Sequence, residues 1–345
     1  MYGLGKQGSP VIYDGDRLRI DHHDGADDLP RDDADLALIG DPRNDENTAV
    51  SQLQLAFLRL HNAVLDRVQS SPELRRGGES DFEAARRLTR WLYQWAVVHD
   101  FLPRIAGRAV VDDVFRRHGQ DPVRTKLFDW RKRIVMPVEF SVAAYRFGHS
   151  MVRASYPLNA ANPDVPFFGG ANDMQGFRRL PAGHTIDWGH FFPVDGSTPA
   201  MCRRIDTHLT PPLHAMPASI VGAAVVGTGL ANLAQRNLMR GSTLGLPSGQ
   251  TVAKKLGVRV LSAQELGRDG EAPLFWYVLR EAEVRETGTR LGETGGRIVT
   301  EVVAGLLAGD RDSYLNASPA WTPGPPFTTT GDVAVPDLIR IAGVA

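Results

Sequence analysis

The sequence predicts a mainly α-helical protein, and three observations lead to this expectation. Apolar residues recur every three or four positions over several long stretches, which is the period of an amphipathic helix. Alternating apolar and polar runs, which are typical of half-buried strands, are almost absent. The long segment 157–215 is dense in Pro, Gly and Asn, so we expect it to be irregular and to line a site or wrap the surface.

The helical stretches follow one another in a clear order. From Thr48 onwards the apolar stripe predicts a helix of about five or six turns. A second stripe over 81–105 predicts another, with Asp81 as its N-cap and Pro103 marking its end. A buried helix is expected around His149. Further helices are predicted over 219–241, 273–286 and 295–309.

Length and composition set the class of protein. We expect one domain over residues 1–345, with a loop-rich start (1–45) and an extended tail (316–345). The hydrophobic share of 42% and the charged share of 23% are typical of soluble globular proteins. A net charge of -1 gives no basic field, so nucleic acid is not an expected partner. The single cysteine, Cys202, excludes an internal disulfide, and redox chemistry would need a bound cofactor.

The most apolar run, SIVGAAVVGTGLA (219–231), is too short and too rich in glycine to span a membrane. We interpret it as part of a core helix. The sequence leaves the cellular compartment and the oligomeric state open.

The first candidate for chemistry is GDPRNDEN (40–47), which stands at the start of the first long helix. Helix N-termini favour anions, so Arg43 there adds to a positive local field. A structural interpretation remains open: Arg43 and Glu46 form a surface pair, or Asn44 or Asp45 caps the helix.

The second candidate is YRFGH (145–149). On a helix Arg146 and His149 project to one side, and Gly148 leaves space beside the imidazole. A neutral imidazole in a dry slot is a good axial ligand for haem iron, and a guanidinium suits a haem propionate. The alternative is a core histidine bonded to a backbone carbonyl.

The third candidate is the helical stretch with Asn237 and Arg240, which ends near Gly245. A metal-ligating imidazole usually donates its other N–H to an acceptor, and an asparagine oxygen can serve. The alternative is an ordinary polar helix end.

Taken together, these stretches resemble the animal-type haem peroxidase family, also called the peroxidase/cyclooxygenase superfamily, in a form similar to its bacterial members. The motifs occur in the family's order and cover most of the chain. They are GDPRNDEN (40–47) with LAFLRLHN (55–62), HDFLPRI (99–105), YRFGH (145–149), RNLMRG (236–241) with LGLPSGQ (244–250), and GGRIVTEVVAGLL (295–307).

The resemblance implies a mainly helical fold around haem b, with His149 as the proximal iron ligand. Asn237 matches the asparagine that accepts the N–H of that imidazole. Arg146 and Arg240 match arginines that contact the propionates. Arg43 matches the distal arginine, which helps to polarise bound peroxide.

The resemblance also bears on covalent attachment and on the reaction. Glu46 matches a carboxylate that in some members forms an ester with the haem, whereas Asn47 replaces a methionine that is linked to haem in one mammalian member. The implied function is a peroxidase that uses hydrogen peroxide, oxidises a small organic or halide substrate, and takes part in the response to oxidative stress.

The sequence departs from the family pattern at its start. The distal histidine and the calcium loop of relatives normally precede a Tyr-Gly that resembles Tyr2-Gly3, so we expect a chain truncated before both. His22 and His23 follow that point and lie in an acidic loop, so they do not take the distal role. Two expectations remain open: a fragment of a peroxidase, or a non-catalytic haem-binding remnant of the fold.

A second branch of the superfamily oxygenates fatty acids through a tyrosyl radical. Its tyrosine stands three residues before the proximal histidine, where this chain has Arg146. Tyr145 is one residue further away, roughly 100° around a helix. The pattern therefore favours a peroxidase over a dioxygenase.

Overall fold

The computed structural model of the chain describes residues 1–117, 121–170 and 172–345. Within these ranges eight α-helices have seven residues or more. They are α1 (Thr48–Ser70), α2 (Asp81–Ala96), α3 (Arg108–Val114), α4 (Leu233–Thr243), α5 (Gly249–Leu256), α6 (Leu274–Arg285), α7 (Glu293–Gly309) and α8 (Val335–Ile341). The predicted mainly helical class is confirmed.

Short helical turns connect these helices. The α-helical turns are Gly5–Gly8, Leu102–Ala106, Gly148–Met151, Ala218–Val221 and Ala263–Leu266. The 3₁₀ turns are Pro10–Ile12, Pro42–Asp45, Pro72–Leu74, Ala144–Arg146, Trp188–His190, Pro211–His214, Ala223–Val225, Gly229–Ala231 and Tyr314–Asn316. The π-helical turns are Val97–Phe101 and Glu139–Ala143.

The described strands form three antiparallel pairs. They are β1 (Tyr13–Asp14) with β2 (Arg17–Leu18), β3 (Asp21–His23) with β4 (Ala26–Asp28), and β5 (Ser155–Tyr156) with β6 (Val165–Pro166). Each strand has only two or three residues, so most of the backbone hydrogen bonds of the described chain lie within helices and turns.

The chain divides into two compact units, which are described separately. The first unit consists of residues 1–96, 155–201 and 322–345. Here α1 packs against α2 and α8. A core cluster joins Ala56 of α1, Leu158, Met174, Trp188 and Ile339 of α8. The irregular segment 157–201 therefore supplies core residues to the first unit even though it contains little regular structure.

Side-chain caps fix the starts of both long helices of the first unit. The Asn47 side chain accepts a hydrogen bond from the backbone N–H of Val50 (3.1 Å), so it is the N-cap of α1. In α2, the Ser80 Oγ accepts from the Glu83 N–H, and the Glu83 carboxylate accepts from the Ser80 N–H. The prediction of Asp81 as N-cap is therefore wrong by one residue, because a capping box outcompetes it.

The second unit consists of residues 97–154 and 202–321. Its core gathers apolar side chains of α5, α6 and α7, including Val252, Leu279 and Val299. Phe140 and Ala143, from the segment that leads to His149, belong to the same cluster. The His149 segment is thus anchored on one side by the main core of this unit.

The apolar run 219–231 is not the core helix that we expected. It forms three short turns, and its side chains are largely exposed, with Val226 at 49% and Leu230 at 41%. Gly222 (φ +85°) and Gly227 (φ +78°) take left-handed conformations that interrupt a helix. The regular helix α4 begins only at Leu233, where the Asn232 side chain caps it.

The tail after residue 316 also differs from the extended form that we expected. It contains α8 (Val335–Ile341), whose Leu338 and Ile339 are buried. Pro336 stands in the first turn of α8, where the missing N–H of a proline does no harm.

The expectation that residues 1–345 form one domain stays a prediction. Among the described helices, none combines the length and the apolar character that crossing a membrane requires.

Candidate functional site

The segment that carries His149 is helical but not one regular helix. A π-helical turn (Glu139–Ala143) is followed by a 3₁₀ turn (Ala144–Arg146) and a short α-helical turn (Gly148–Met151). Ala143 has φ -123° and ψ -77°, outside the helical region, and this residue separates the turn types. The expectation of a single buried helix here is therefore wrong, because the backbone changes its winding twice before His149.

Asn237 lies directly against the His149 ring. It is 3% exposed on α4, and its amide Nδ2 is 2.8 Å from His149 Nδ1. In this orientation the amide donates to Nδ1, so the ring proton is on Nε2. A 180° rotation of the amide places Oδ1 there instead, where it accepts from Nδ1–H and leaves the Nε2 electron pair free. The predicted pair is thus in contact, and amide orientation decides which nitrogen can bind a metal.

The surroundings of His149 favour the neutral imidazole. Burial lowers the pKa of His149 to about 4, and the positive charges of Arg146 and Arg240 act in the same direction. A metal needs the neutral ring, since a protonated nitrogen has no lone pair to donate. The structure therefore brings His149 and Asn237 into contact and places both arginines near enough to influence the ring. Arg146 also donates from Nε to the Ser141 carbonyl (2.8 Å).

Open space lies next to the histidine at Gly148. A Cβ added at this glycine would meet no atom within 4 Å, although the neighbouring Phe147 and Ser150 are buried. Tyr145 stacks on Phe140, with ring centroids 4.6 Å apart, and its side chain is 45% exposed. The gap predicted beside His149 therefore fits this geometry, and its role stays a prediction.

Arg43 and Glu46 belong to the first unit. Arg43 lies in the 3₁₀ turn Pro42–Asp45, its side chain is 83% exposed, and its guanidinium binds the Asp41 carboxylate (2.6 Å). The hydrogen bond from Arg43 lowers the pKa of Asp41 to about 2. The suggested Arg43–Glu46 pair is therefore replaced by an Arg43–Asp41 pair. Neither Asn44 nor Asp45 caps α1, because Asn47 does.

The turn that carries Arg43 is held by a buried ion cluster that the sequence analysis missed. Arg31 donates from Nη1 and Nη2 to the two oxygens of Asp45 (2.8 and 2.9 Å) and from Nε to Asp28 (2.9 Å). All three side chains are 2% exposed. Burial raises the pKa of Asp45 and Arg31 opposes that rise. Arg31 stands in an acidic run without periodicity, so nothing in its sequence context distinguishes it from a surface residue.

Backbone contacts of the first unit fix the same turn from the other side. The carbonyls of Asp45 and Glu46 accept from the N–H groups of Phe177 (2.8 Å) and Gly176 (3.2 Å). A Cβ at Gly176 would stand 1.8 Å from the Asp45 oxygen, so only glycine fits there. The position of Arg43 and Glu46 within the first unit is therefore set by a residue more than 120 positions further along the chain.

The histidines of the acidic loop have a structural place. His22 and His23 lie on β3, which pairs with β4 through a tight turn at Asp24-Gly25. His22 Nδ1 is 2.9 Å from the Asp27 carboxylate, and the His22 side chain is 65% exposed. His22 is thus an exposed partner of Asp27, and its exclusion from the distal role stays a prediction.

The second unit therefore joins a neutral histidine, an asparagine at its Nδ1 and two nearby arginines within a mainly helical structure. The family model described as animal haem peroxidase matches residues 13–176, a range that includes GDPRNDEN and YRFGH. The match covers just under half of the chain, so residues 13–176 are identified as animal haem peroxidase-like.

Curated relatives match over about a third of the chain. A peroxidase-like protein of Margaritifera margaritifera is 36% identical over 118 residues, which are 33% of this chain and 14% of that protein. Eosinophil peroxidase of Mus musculus is 28% identical over 141 residues, which are 37% of this chain and 18% of that protein. The matched part therefore spans less than a fifth of the length of either relative.

Solved structures match over nearly the whole chain. Peroxidase A of Dictyostelium discoideum has a TM-score of 0.66 and 19% identity, covering 98% of this chain and 69% of its own. A fatty acid alpha-dioxygenase of Arabidopsis thaliana has a TM-score of 0.58 and 15% identity, covering all of this chain and 58% of its own. At these identities the likeness concerns the fold, which is common to both classes of enzyme.

Proposed function

We propose that this chain is a haem-dependent peroxidase domain that reduces hydrogen peroxide and oxidises a small organic or halide substrate. The observation that carries the proposal is the contact between Asn237 and His149 Nδ1 (2.8 Å) beside the open space at Gly148. A histidine that is held at one ring nitrogen and neutral at physiological pH suits an axial ligand of a flat cofactor. The match of residues 13–176 to the animal haem peroxidase model supports the same function.

Four residues of the second unit would hold the haem. His149 would ligate the iron through Nε2, and Asn237, with its amide rotated, would accept the Nδ1 proton and orient the ring. Arg146 and Arg240 would bind the propionates by charge-assisted hydrogen bonds. When bound, the haem supplies the redox chemistry by which peroxide takes up two electrons and two protons and becomes two waters, while the reductant loses the electrons.

Two further roles, which rest on the resemblance, are assigned to residues of the first unit. Arg43, with its exposed guanidinium, would stabilise negative charge as the O–O bond breaks. To do so it must exchange its Asp41 partner for the ligand, which is feasible because the Asp41 pair is solvent-exposed and weak. Glu46 is exposed and would be the carboxylate available for an ester with the haem.

A fatty-acid dioxygenase is the second candidate, because the Arabidopsis thaliana and Oryza sativa dioxygenases share the fold. Three residues before His149, where the dioxygenase branch has its tyrosine, this chain has Arg146. Tyr145, one residue further away, stacks on Phe140. A third candidate is a haem-binding protein without turnover. Calcium, which the resemblance associates with longer relatives, is assigned no residue in this chain.

Haemin titration of the purified chain, followed in the Soret band, tests the proposal. We expect a histidine-type spectrum that is lost in His149→Ala and retained in His190→Ala, a matched control on a 3₁₀ turn of the first unit. Circular dichroism of both variants checks that the fold survives. Adding hydrogen peroxide with a phenolic reductant should then give turnover.

The possible results separate the candidates. A histidine-type spectrum without turnover of peroxide would support the non-catalytic protein. Oxygen uptake with palmitic acid that disappears in Tyr145→Phe would support the dioxygenase. The same spectrum in the wild type and in His149→Ala would refute His149 as the ligand.

A further inference from the structure

A cavity lies within the second unit, and His149 is not among its lining residues. Its volume is about 240 Å³, and it is lined mainly by apolar side chains, including Phe128, Val252, Ile298 and Val302. Thr251 of α5 stands at its edge and is exposed. A cavity of roughly 150 Å³ lined by Leu, Ile and Phe side chains holds a benzene molecule, so this one has room for a substituted ring.

One wall of the cavity carries a buried carboxylate. Glu301 of α7 is 0% exposed and lines the cavity. Its Oε2 accepts from the backbone N–H groups of Lys126 (2.8 Å), Leu127 (2.7 Å) and, more weakly, Phe128 (3.4 Å). Glu301 is therefore anchored to the loop on one side of the cavity through only one of its two oxygens.

The second oxygen of Glu301 is an unsatisfied acceptor. Within the described residues, Oε1 has no hydrogen-bond partner. Arg297 Nε is 3.7 Å away, beyond hydrogen-bond distance, and the Arg297 guanidinium donates to Asp113 instead. A buried acceptor without a donor is costly, so a group that donates to Oε1 would be bound with a clear gain.

The charges around the carboxylate define what that donor can be. Arg297 already places a positive charge near Oε1, which reduces the attraction for a second cation. The lining also holds Lys255 and Glu139, whose charges are opposite. A neutral molecule with one O–H donor matches the largely apolar walls and the free oxygen of Glu301, and it adds no charge to this lining. We propose that this cavity binds a small neutral aromatic alcohol, whose hydroxyl donates to Glu301 Oε1 while its ring lies against Phe128 and the aliphatic walls.

Fluorine NMR titration of the full chain, without haem or peroxide, tests the inference independently of the proposed peroxidase. The probes are 4-fluorophenol and 4-fluoroanisole, which differ by the methyl group that removes the donor. We expect 4-fluorophenol to bind and 4-fluoroanisole to bind at least tenfold more weakly, because the charge-assisted hydrogen bond is lost. Equal affinity for both probes, or no binding of 4-fluorophenol, would overturn the inference.

Two variants locate the binding. In Glu301→Gln the side-chain oxygen can still accept from the three backbone N–H groups, while an NH₂ donor replaces the free Oε1. Binding of 4-fluorophenol should fall at least tenfold, and 4′-fluoroacetophenone, an acceptor of similar size, should gain affinity. Thr251→Phe should fill the edge of the cavity and weaken every probe, while the backbone N–H of residue 251 keeps its cap from Ser248 (3.2 Å).

The test stays informative even if one of the variants does not fold. If Glu301→Gln does not fold, Thr251→Phe and the probe pair remain decisive, since neither depends on the buried carboxyl being replaced. Undiminished binding of 4-fluorophenol in a folded Thr251→Phe or Glu301→Gln variant would place the ligand elsewhere and overturn the inference.

Discussion

Replacing Arg31 by methionine should lower the free energy of unfolding of the first unit by about 3 to 5 kcal/mol, because removal of one partner leaves buried charge uncompensated. The wild-type guanidinium neutralises Asp28 and Asp45 together, with four contacts of 2.8 to 3.4 Å to their oxygens. Methionine preserves most of the apolar volume but supplies no donor. The two carboxylates then face each other at 2% exposure.

Urea denaturation followed by circular dichroism measures the effect. Arg179→Met is the matched control, since it makes the same change in a side chain that is 52% exposed and pairs with Asp35. The control should change stability by less than about 1 kcal/mol. Adding Asp45→Asn to Arg31→Met should recover part of the loss, about 0.5 to 3 kcal/mol, because the two residues are coupled.

The loss of stability in Arg31→Met should depend on pH in a definite direction. Burial already raises the folded-state pKa of Asp45 above 3.8, and removing Arg31, which opposes that rise, should raise it further. The folded variant then binds protons more readily than the unfolded chain, so its deficit relative to wild type shrinks as the pH falls from 7 towards 4. A loss below 1 kcal/mol, or a loss equal to that of Arg179→Met, would refute the reasoning.

Three further predictions rest on the same structure. Gly176→Ala should destabilise the first unit by several kcal/mol in urea denaturation, because its Cβ would lie 1.8 Å from the Asp45 oxygen. Gly148→Ala, whose Cβ would meet no atom within 4 Å, should change stability by less than about 1 kcal/mol. Equal effects of the two variants would contradict the geometry. His61 is fully buried, and burial lowers its pKa from 6.5 to about 4. The contribution of the neutral ring to the free energy of unfolding is therefore fully present above pH 6.5 and falls by about 3 kcal/mol as the pH drops from 6.5 to 4. His61→Gln should flatten that part of the stability–pH curve, and an unchanged slope would contradict this prediction. Asn237→Leu should weaken haemin binding about 10- to 100-fold and alter the Soret band. Asn237→Asp keeps an acceptor at Nδ1 of His149 and should retain more affinity for haemin. Identical titrations of the two variants would exclude a hydrogen-bonding role for Asn237.

The long helices could be predicted because their apolar stripes are local in sequence. α1, α6 and α7 lie within a few residues of the predicted boundaries, and the Asn237–His149 pair was identified by residue type and resemblance. Predictions were wrong where the apolar pattern of a stretch disagrees with the backbone conformation of individual residues in it. The run 219–231 is apolar enough for a core helix, but its left-handed glycines break it into exposed turns.

The remaining contacts join residues far apart in the sequence. No local pattern connects Arg31 with Asp45 or predicts that Gly176 lies against the Asp45 carbonyl. The cavity at Glu301 likewise joins the loop at 127–128, α5 and α7. Such contacts depend on tertiary packing, which the period of one element does not encode.

The π-helical turn Glu139–Ala143 has a consequence for how this segment can change over time. A π-helical turn behaves as one residue added to an α-helix, so losing a residue there would restore regular winding. Each residue of an α-helix turns the chain by roughly 100°, and His149 lies downstream of the turn. Because the turn takes up its extra residue locally, a single deletion within it should leave the imidazole beside Asn237, whereas a deletion between Ala143 and His149 should swing the ring away. Tolerance of deletions should therefore change sharply at the end of the π-helical turn.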